Sequence, residues 1–410
     1  MPLLPEIRLA TRLYFSQQGK GRHSRPAVRV ALAAMMVGVM IMLLTLCIVV
    51  GFKRTVTQKV TGFDAHIQLI SFKANDSYDL NPIPVTDSLL TALNELEHVV
   101  SVSPFITKPG MLKTDSAFVG VVLKGTDYWS FFATNLTEGH LPQADQEILL
   151  SANVARQLQL HVNDPVFSYF IDGKDVRARK FALCGIYKTG FAQYDDLFVL
   201  TNLSTMRSLQ RWDSCLCSGV DMLLDDINHT ETVEDALIDV SFDYTDEDNY
   251  PIFMSRPVLE KESKIFMWLD LFDMNVAIII VLMLIVAGFS IVSSLIILLL
   301  ESVQLIGTLK ALGANNGFIR RIFLTQASML IAKGVFWGNI LGLGLACAQY
   351  FGQFIPLDAT TYFMDTVPIA FPWTWLILMN LATIVLSFAV LLLPSMIIAK
   401  INPAKVMHFE

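Results

Sequence analysis

Few residues of this chain have types and spacing suited to chemistry, and none of them completes a reactive constellation. Cys215 and Cys217 stand as half of a thiolate metal site, yet no His or Cys follows at ligand spacing, and a structural zinc centre needs four donors. Of the five cysteines, Cys47 and Cys347 fall in apolar runs as small hydrophobes, and the odd remainder is no disulfide framework. His66, His98 and His161 lack spaced partners and read as surface or strand residues, so no metal ligand is assigned. A G-x-x-x-x-G-K-S/T loop to cradle nucleotide phosphates is absent, as are H-E-x-x-H and G-x-S-x-G. The chain is therefore expected to carry no catalytic residue and no cofactor, with a membrane enzyme as a minor alternative.

One segment has a pattern suited to docking instead. Between Ser302 and Ala314, Leu305, Leu309 and Leu312 fall at helical spacing on one face, with Ser302 placed to cap the start and Gly313 to end the turn. A tight connector needs no apolar stripe, and an exposed stripe seeks a partner.

The surrounding elements must hold that helix at a membrane surface. The 410 residues are 53% hydrophobic with mean hydropathy +0.52, too apolar for an ordinary soluble chain, and the net charge of −7 argues against nucleic acid. Four runs reach the ~20 residues a helical span needs: 28–52, 276–300, 322–350 and 373–399. The first run is far longer than a signal-peptide core and reads as an uncleaved anchor. Basic residues flank one side only: Arg8, Arg12, Lys20, Arg22 and Arg25 in segment 1–27, Lys310, Arg320 and Arg321 in link 301–321, and Lys400 and Lys405 in tail 400–410. Loop 351–372 has Asp358 and Asp365 but no Lys or Arg, so the positive-inside rule puts both termini in the cytoplasm and residues 53–270 outside.

That external stretch reads as an α+β domain, so the fold class is a membrane protein of four transmembrane helices with a large domain inserted after the first. Ala65–Phe72 alternates, and Val99–Ile106 and Phe118–Gly125 are β-branched or aromatic runs. Thr86–His98 and Ala152–Leu160 are expected helices, the first capped by Thr86. Asp172-Gly173 signals a hairpin turn. Asp221–Asp248, rich in Asp and Glu, reads as a solvated face. Within the third span, Lys333 lies about 18 Å beyond Arg321 along a helix. A mid-bilayer charge costs about 2.5–3.5 kcal/mol, so Lys333 is expected to face protein or water, aided by Gln326 on the same face, unless it snorkels to the interface. Gly334, Gly338 and Gly342 form a small-residue ridge beside it.

The link Ile306-Gly307-Thr308-Leu309-Lys310-Ala311-Leu312-Gly313-Ala314 resembles the coupling helix of permeases of the macrolide-exporter and cell-division superfamily. Further residues match in order along nearly the whole chain: Gly51-Phe52, Gly62-Phe63-Asp64-Ala65-His66-Ile67, Leu123-Lys124-Gly125-Thr126-Asp127, Gly185 to Phe191 with Tyr194-Asp195, and Asn402-Pro403-Ala404. Together they are similar to the transmembrane subunits of lipoprotein-releasing ABC transporters. The resemblance implies a bacterial inner-membrane protein that pairs with a second permease subunit, identical or paralogous, and with a cytoplasmic ABC ATPase dimer that binds ATP and Mg. It implies an acylated lipoprotein as substrate and a periplasmic lipoprotein carrier as a further partner. Ser302, Leu305, Ile306, Leu309, Lys310, Leu312 and Gly313 would then contact the ATPase. Val39, Met42, Leu43 and Leu46, a stripe on the first span, would line the lipoprotein cavity or serve as packing. The region Phe167–Phe181, an extended carrier hook in one family subunit, is compact here. A mechanotransmission permease, which passes ATPase strokes to a periplasmic partner without moving a substrate, is the alternative.

Overall fold

Where apolar residues run on for five or more turns, the backbone satisfies its own hydrogen bonds as helix. The computed structural model describes residues 24–73, 78–114, 117–172, 175–245 and 250–395. Arg8, Arg12, Lys20, Arg22, Gly173, Lys400, Lys405 and Asn402-Pro403-Ala404 lie outside them. Among the described residues four helices are long and apolar enough to cross a membrane, found at Arg29–Asp64, Ser263–Ile297, Asn316–Gly352 and Trp373–Leu391. They belong to α1 (Ser24–Asp64), α2 (Ser263–Glu301), α4 (Asn316–Gly352) and α5 (Trp373–Ser395), with the short α3 (Val303–Ala311) between α2 and α4. Two helices exceed the expected apolar runs at their domain ends. α1 continues past Phe52 to Asp64, and α2 begins at Ser263 rather than Val276, because the flanking polar residues are helix-compatible.

The chain divides into two units, one of residues 1–53, 269–355 and 367–410 and the other of 54–268 and 356–366. In the first, the glycine ridge of α4 meets α1. A Cβ at Gly334 would stand 2.5 Å from Met35 Cγ, at Gly338 2.8 Å from Val39 Cβ, and at Gly342 3.2 Å from Leu43 Cδ2. Absent side chains thus let two helices close. Gly51 serves the same end on α1, where a Cβ would stand 2.7 Å from Pro368 O, and Ala370 N donates to Cys47 O (3.1 Å). Consequently Val39, Met42, Leu43 and Leu46 are all buried within this unit. The first-span stripe, offered as a cavity lining or as packing, is thus buried in its own unit.

In the second unit the strands are β1 (Ile67–Ser71), β2 (Ile83–Pro84), β3 (Val99–Lys113), β4 (Phe118–Thr126), β5 (Leu136–Gly139), β6 (Glu147–Ser151), β7 (Pro165–Asp172), β8 (Asp175–Tyr187), β9 (Phe198–Thr201), β10 (Leu216–Cys217), β11 (Gly219–Leu224) and β12 (Phe253–Pro257). One mixed sheet of 10 strands runs β12-β1-β11-β3-β4-β9-β6-β8-β5, with β7 pairing β3 and β8, and β2 pairs β10 apart from it. Thr86 Oγ1 accepts from Leu89 N (3.3 Å) to cap the helix Asp87–Asn94, whose Leu89 and Leu93 enter the core. The second expected helix spans Ala152–Leu158, capped by Ser151. β7 and β8 pair out to Asp172↔Asp175.

The strand expected at Ala65–Phe72 forms as β1 and is buried at every position between β11 and β12. Ile67 and Leu69 join the main core, while Ile70 joins Phe105 and Leu80 on the other side. Asp221, assigned to a solvated acidic face, is buried in β11 and ion-paired.

The glycine ridge yields a direct test. Gly338→Val forces a side chain into Val39 and the Met36 carbonyl and should lower stability by about 1–3 kcal/mol. Gly344→Ala, whose Cβ would meet nothing within 4 Å, should be neutral or stabilising. Thermal unfolding in detergent reads both, and equal melting of Gly338→Val and wild type would contradict the close approach.

Candidate functional site

Three of the segments singled out in the sequence converge on a buried junction in the second unit, where α1 ends against the sheet. Ala65 adopts left-handed φ (56°) and turns the chain from Phe63-Asp64 into β1. Phe63 is buried, with its ring centroid 4.9 Å from Tyr194, 5.3 Å from Phe132 and 5.8 Å from Phe198. The last turn of a helix leaves carbonyls without intrahelical partners, and Lys124 of β4 fills one of them. Its Nζ donates to Phe63 O (2.5 Å) and to Asp221 Oδ2 (2.6 Å), 4.8 Å from the Phe105 ring. Gln68 Nε2 donates to the other Asp221 oxygen (2.7 Å).

Asp64, itself buried, binds Lys261 Nζ at 2.8 Å through Oδ1. Lys261 also donates to Gln68 Oε1 (3.1 Å), which joins the two ion pairs. Tyr194 Oη lies 2.5 Å from Asp64 Oδ2 and 2.9 Å from Glu262 Oε1, with one proton to give. The phenol hydroxyl thus faces both carboxylates as donor. Burial, reinforced by the neighbouring Asp64 charge, pushes the Glu262 carboxyl up against the lowering contact from Tyr194. A cavity of about 160 Å³, lined in part by Tyr78, Phe105, Arg256 and Lys261, adjoins the network.

The Gly185–Asp195 segment supplies the remaining wall. Tyr187 Oη donates to Phe198 O (2.8 Å). Asp195 accepts from Thr189 Oγ1 (2.7 Å), Thr189 N (3.3 Å) and Gly190 N (3.1 Å), which fixes a turn whose Gly190 has φ 72°. Loop residues 356–366 belong to this unit too: Lys59 Nζ donates to Phe363 O (2.8 Å) and Lys188 pairs with Asp365 (2.8 Å).

In the first unit, α3 divides its residues between two directions. Ser302 sits at the N-cap position but makes no side-chain cap bond, and Gly313 ends the helix with φ 86°. Ile306 is fully buried and Leu309 packs against the same core, whereas Leu312 is 81% exposed. The Leu305–Leu309–Leu312 stripe is therefore split, with Leu305 and Lys310 half-buried and Leu312 outward. Gln326 is buried, with Oε1 lacking a hydrogen-bond partner among the described residues, and Lys333 is half-buried. A pair that sequence reasoning missed joins α4 to α5: Asn339 and Asn380 exchange amide hydrogen bonds of 2.7 and 3.1 Å. Each also donates to its own helix four residues back. Two lone Asn residues in apolar runs were the available signal.

Comparison with known proteins agrees with this architecture. Residues 30–240 match the MacB-like periplasmic core domain and residues 277–403 the FtsX-like permease C-terminal family. The chain belongs to the permease family that joins these two parts. It is 23% identical over 398 residues, 91% of each chain, to the lipoprotein-releasing system transmembrane protein LolC of Xylella fastidiosa (strain 9a5c). It is also 23% identical over 417 residues, 95% of this chain and 97% of the other, to LolE of Haemophilus influenzae. The periplasmic region of MacB from Actinobacillus actinomycetemcomitans aligns over 51% of this chain and 96% of its own at 14% identity, with a TM-score of 0.35, too low to argue from.

The junction makes two expectations measurable. Lys124→Met leaves Asp221 buried without its cation and should cost about 3–5 kcal/mol, and Asp221→Asn in the same chain should recover part of the loss. Melting of Lys124→Met at the wild-type temperature would remove Lys124 from the account. Glu262 holds its proton in the fold above the ordinary 4.5, so its contribution is full below that pH and is lost as pH rises through the folded value. Glu262→Gln should flatten this fall in chemical denaturation as pH rises above 4.5, and an unchanged slope would contradict the raised carboxyl.

Proposed function

We propose that this chain is the permease subunit of an inner-membrane ABC transporter that releases acylated lipoproteins toward a periplasmic carrier, driven by a separate ATPase. The observation that carries the reading is the order of one long apolar helix, an α+β unit and three further long helices with α3 between the second and third. Lipoprotein-releasing transmembrane proteins align in sequence with 91% and 95% of the chain. On this reading 28–52, 276–300, 322–350 and 373–399 lie in the bilayer, both termini and α3 face the cytoplasm, and the α+β domain is periplasmic. Leu312, exposed with Thr308 and Ala311 on α3, meets the ATPase, while Ile306 and Leu309 root the helix in the core of its unit. ATP and Mg stay on the ATPase dimer, and a second permease subunit completes the membrane part.

The physical task is to lift acyl chains whose burial holds them by about 0.8 kcal/mol per CH₂. Extraction therefore needs a competing apolar surface that nucleotide-driven closure can remove. Since the α1 stripe is taken up in packing, the better candidate wall is α2, where Ile278, Leu282, Ile285 and Phe289 form an exposed stripe at helical spacing. The same burial of Val39, Met42, Leu43 and Leu46 favours the second reading, a mechanotransmission permease that moves no substrate.

Leu312→Asp should abolish co-purification of the ATPase while leaving the chain's melting unchanged, whereas Leu309→Asp should lower the melting temperature because its charge enters the core. Retention of the ATPase by Leu312→Asp would remove α3 as the docking point. Mass spectrometry of native complexes separates the readings: acylated protein supports release, and a periplasmic hydrolase without lipoprotein supports transmission.

A further inference from the structure

The acidic end of β11 meets a turn that its sequence gives no reason to expect beside it. Leu224 of β11 pairs with Val99 of β3 across a register shift, so Asp225 and His98 flank the ends of two adjacent strands. Asp225 N donates to His98 O (3.1 Å), which ties the two backbones together. His98 itself adopts left-handed φ (69°), a conformation that costs a non-glycine residue energy. Asp226 Oδ1 accepts from Asn228 N (2.9 Å) and starts a single 3-10 turn, Ile227–His229, that brings His229 back over His98. The two imidazoles stack with centroids 3.7 Å apart and planes 23° apart. Both turn Nδ1 toward one carboxylate, His98 to Asp225 Oδ2 at 3.0 Å and His229 to Asp225 Oδ1 at 2.8 Å.

We propose that His98, Asp225 and His229 form a binding site for a first-row divalent metal ion of the Zn²⁺ class. Two imidazole nitrogens and a carboxylate oxygen all lie within 4.8 Å of one another. Donors bound about 2 Å from a common tetrahedral ion stand roughly 3.3 Å apart, so capture needs the stacked rings to rotate until their Nδ1 lone pairs converge, which their partial exposure leaves room for. On binding, each neutral imidazole keeps its proton on Nε2 and presents the Nδ1 lone pair, and Asp225 supplies the negative charge. Imidazole donors select Zn²⁺, Cu²⁺ or Ni²⁺ over Mg²⁺ and Ca²⁺. Three protein ligands leave a coordination position open, the pattern of a site that accepts water or an external ligand. The backbone bond, the strand register and the Asp226 cap hold all three residues together. The site rests on none of the residues assigned to transport.

The test titrates the full chain in detergent, purified without a polyhistidine tag, with Zn²⁺ alone against a chromophoric chelator, and with Co²⁺ followed by visible absorption. The expected result is one saturable Zn²⁺ per chain and a Co²⁺ d–d band. His98→Asn and His229→Asn should each weaken binding by about 100-fold or more and erase the band. Asn tolerates the left-handed φ at position 98, and metal-free melting of the variants at the wild-type temperature confirms that the fold is kept. If the single variants melt lower, Asp225→Asn carries the test in their place. Equal Zn²⁺ affinity in wild type and a correctly folded variant, or no saturable uptake by wild type, would overturn the site and leave these residues as a proton-holding cluster only.

Discussion

The arrangement of the α+β unit depends on one desolvated cation. Lys124 is 3% exposed, and an ammonium in that setting is tolerated only where ion pairing and hydrogen bonds replace its water. It finds a carboxylate on β11 and the terminal carbonyl of α1 at Phe63. Those partners belong to a helix end and to a strand two positions from β4 in the sheet, so a single side chain fixes both. Asp64 and Lys261 extend the constraint to the segment that leads into α2, and Gln68 couples the two pairs. Such a network specifies one arrangement more than it stabilises the fold, because the cost of desolvating the ions nearly offsets their attraction.

Around it the aromatic residues act by shape. Phe63, Tyr187, Tyr194 and Phe198 interlock at centroid distances of 4.9 to 6.2 Å, and the two tyrosines carry their hydroxyls to buried acceptors. The helix end is thereby held at its Phe63 carbonyl by Lys124, at its Asp64 carboxylate by Lys261 and at its Phe63 ring by Tyr194.

Much of the fold was legible in the residues. Long apolar runs gave the four long helices found among the described residues, Thr86 gave a helix start, and the Gly334–Gly338–Gly342 spacing gave a close helix contact without naming its partner. Helix continuity was not legible: residues 53–64 are polar enough to read as the start of a domain, and polarity does not stop a helix. Burial on both faces of β1 was not legible, because its Gln68 turns to a buried network rather than to solvent. Asp221 was misread for the same reason, its partner Lys124 being 97 residues away. The convergence of Phe63-Asp64, Lys124 and Tyr194-Asp195 is likewise invisible to spacing. So is the meeting of His98 with His229, which only the β3–β11 register creates.

The central claim is that this chain moves acylated protein out of a bilayer. Its most direct test is release from proteoliposomes that contain the chain, its ATPase and an acylated lipoprotein, with a soluble carrier outside. The account predicts lipoprotein in the aqueous phase only when ATP, the chain and the carrier are all present. ATP hydrolysis by the assembled complex with the lipoprotein left in the vesicles would contradict it.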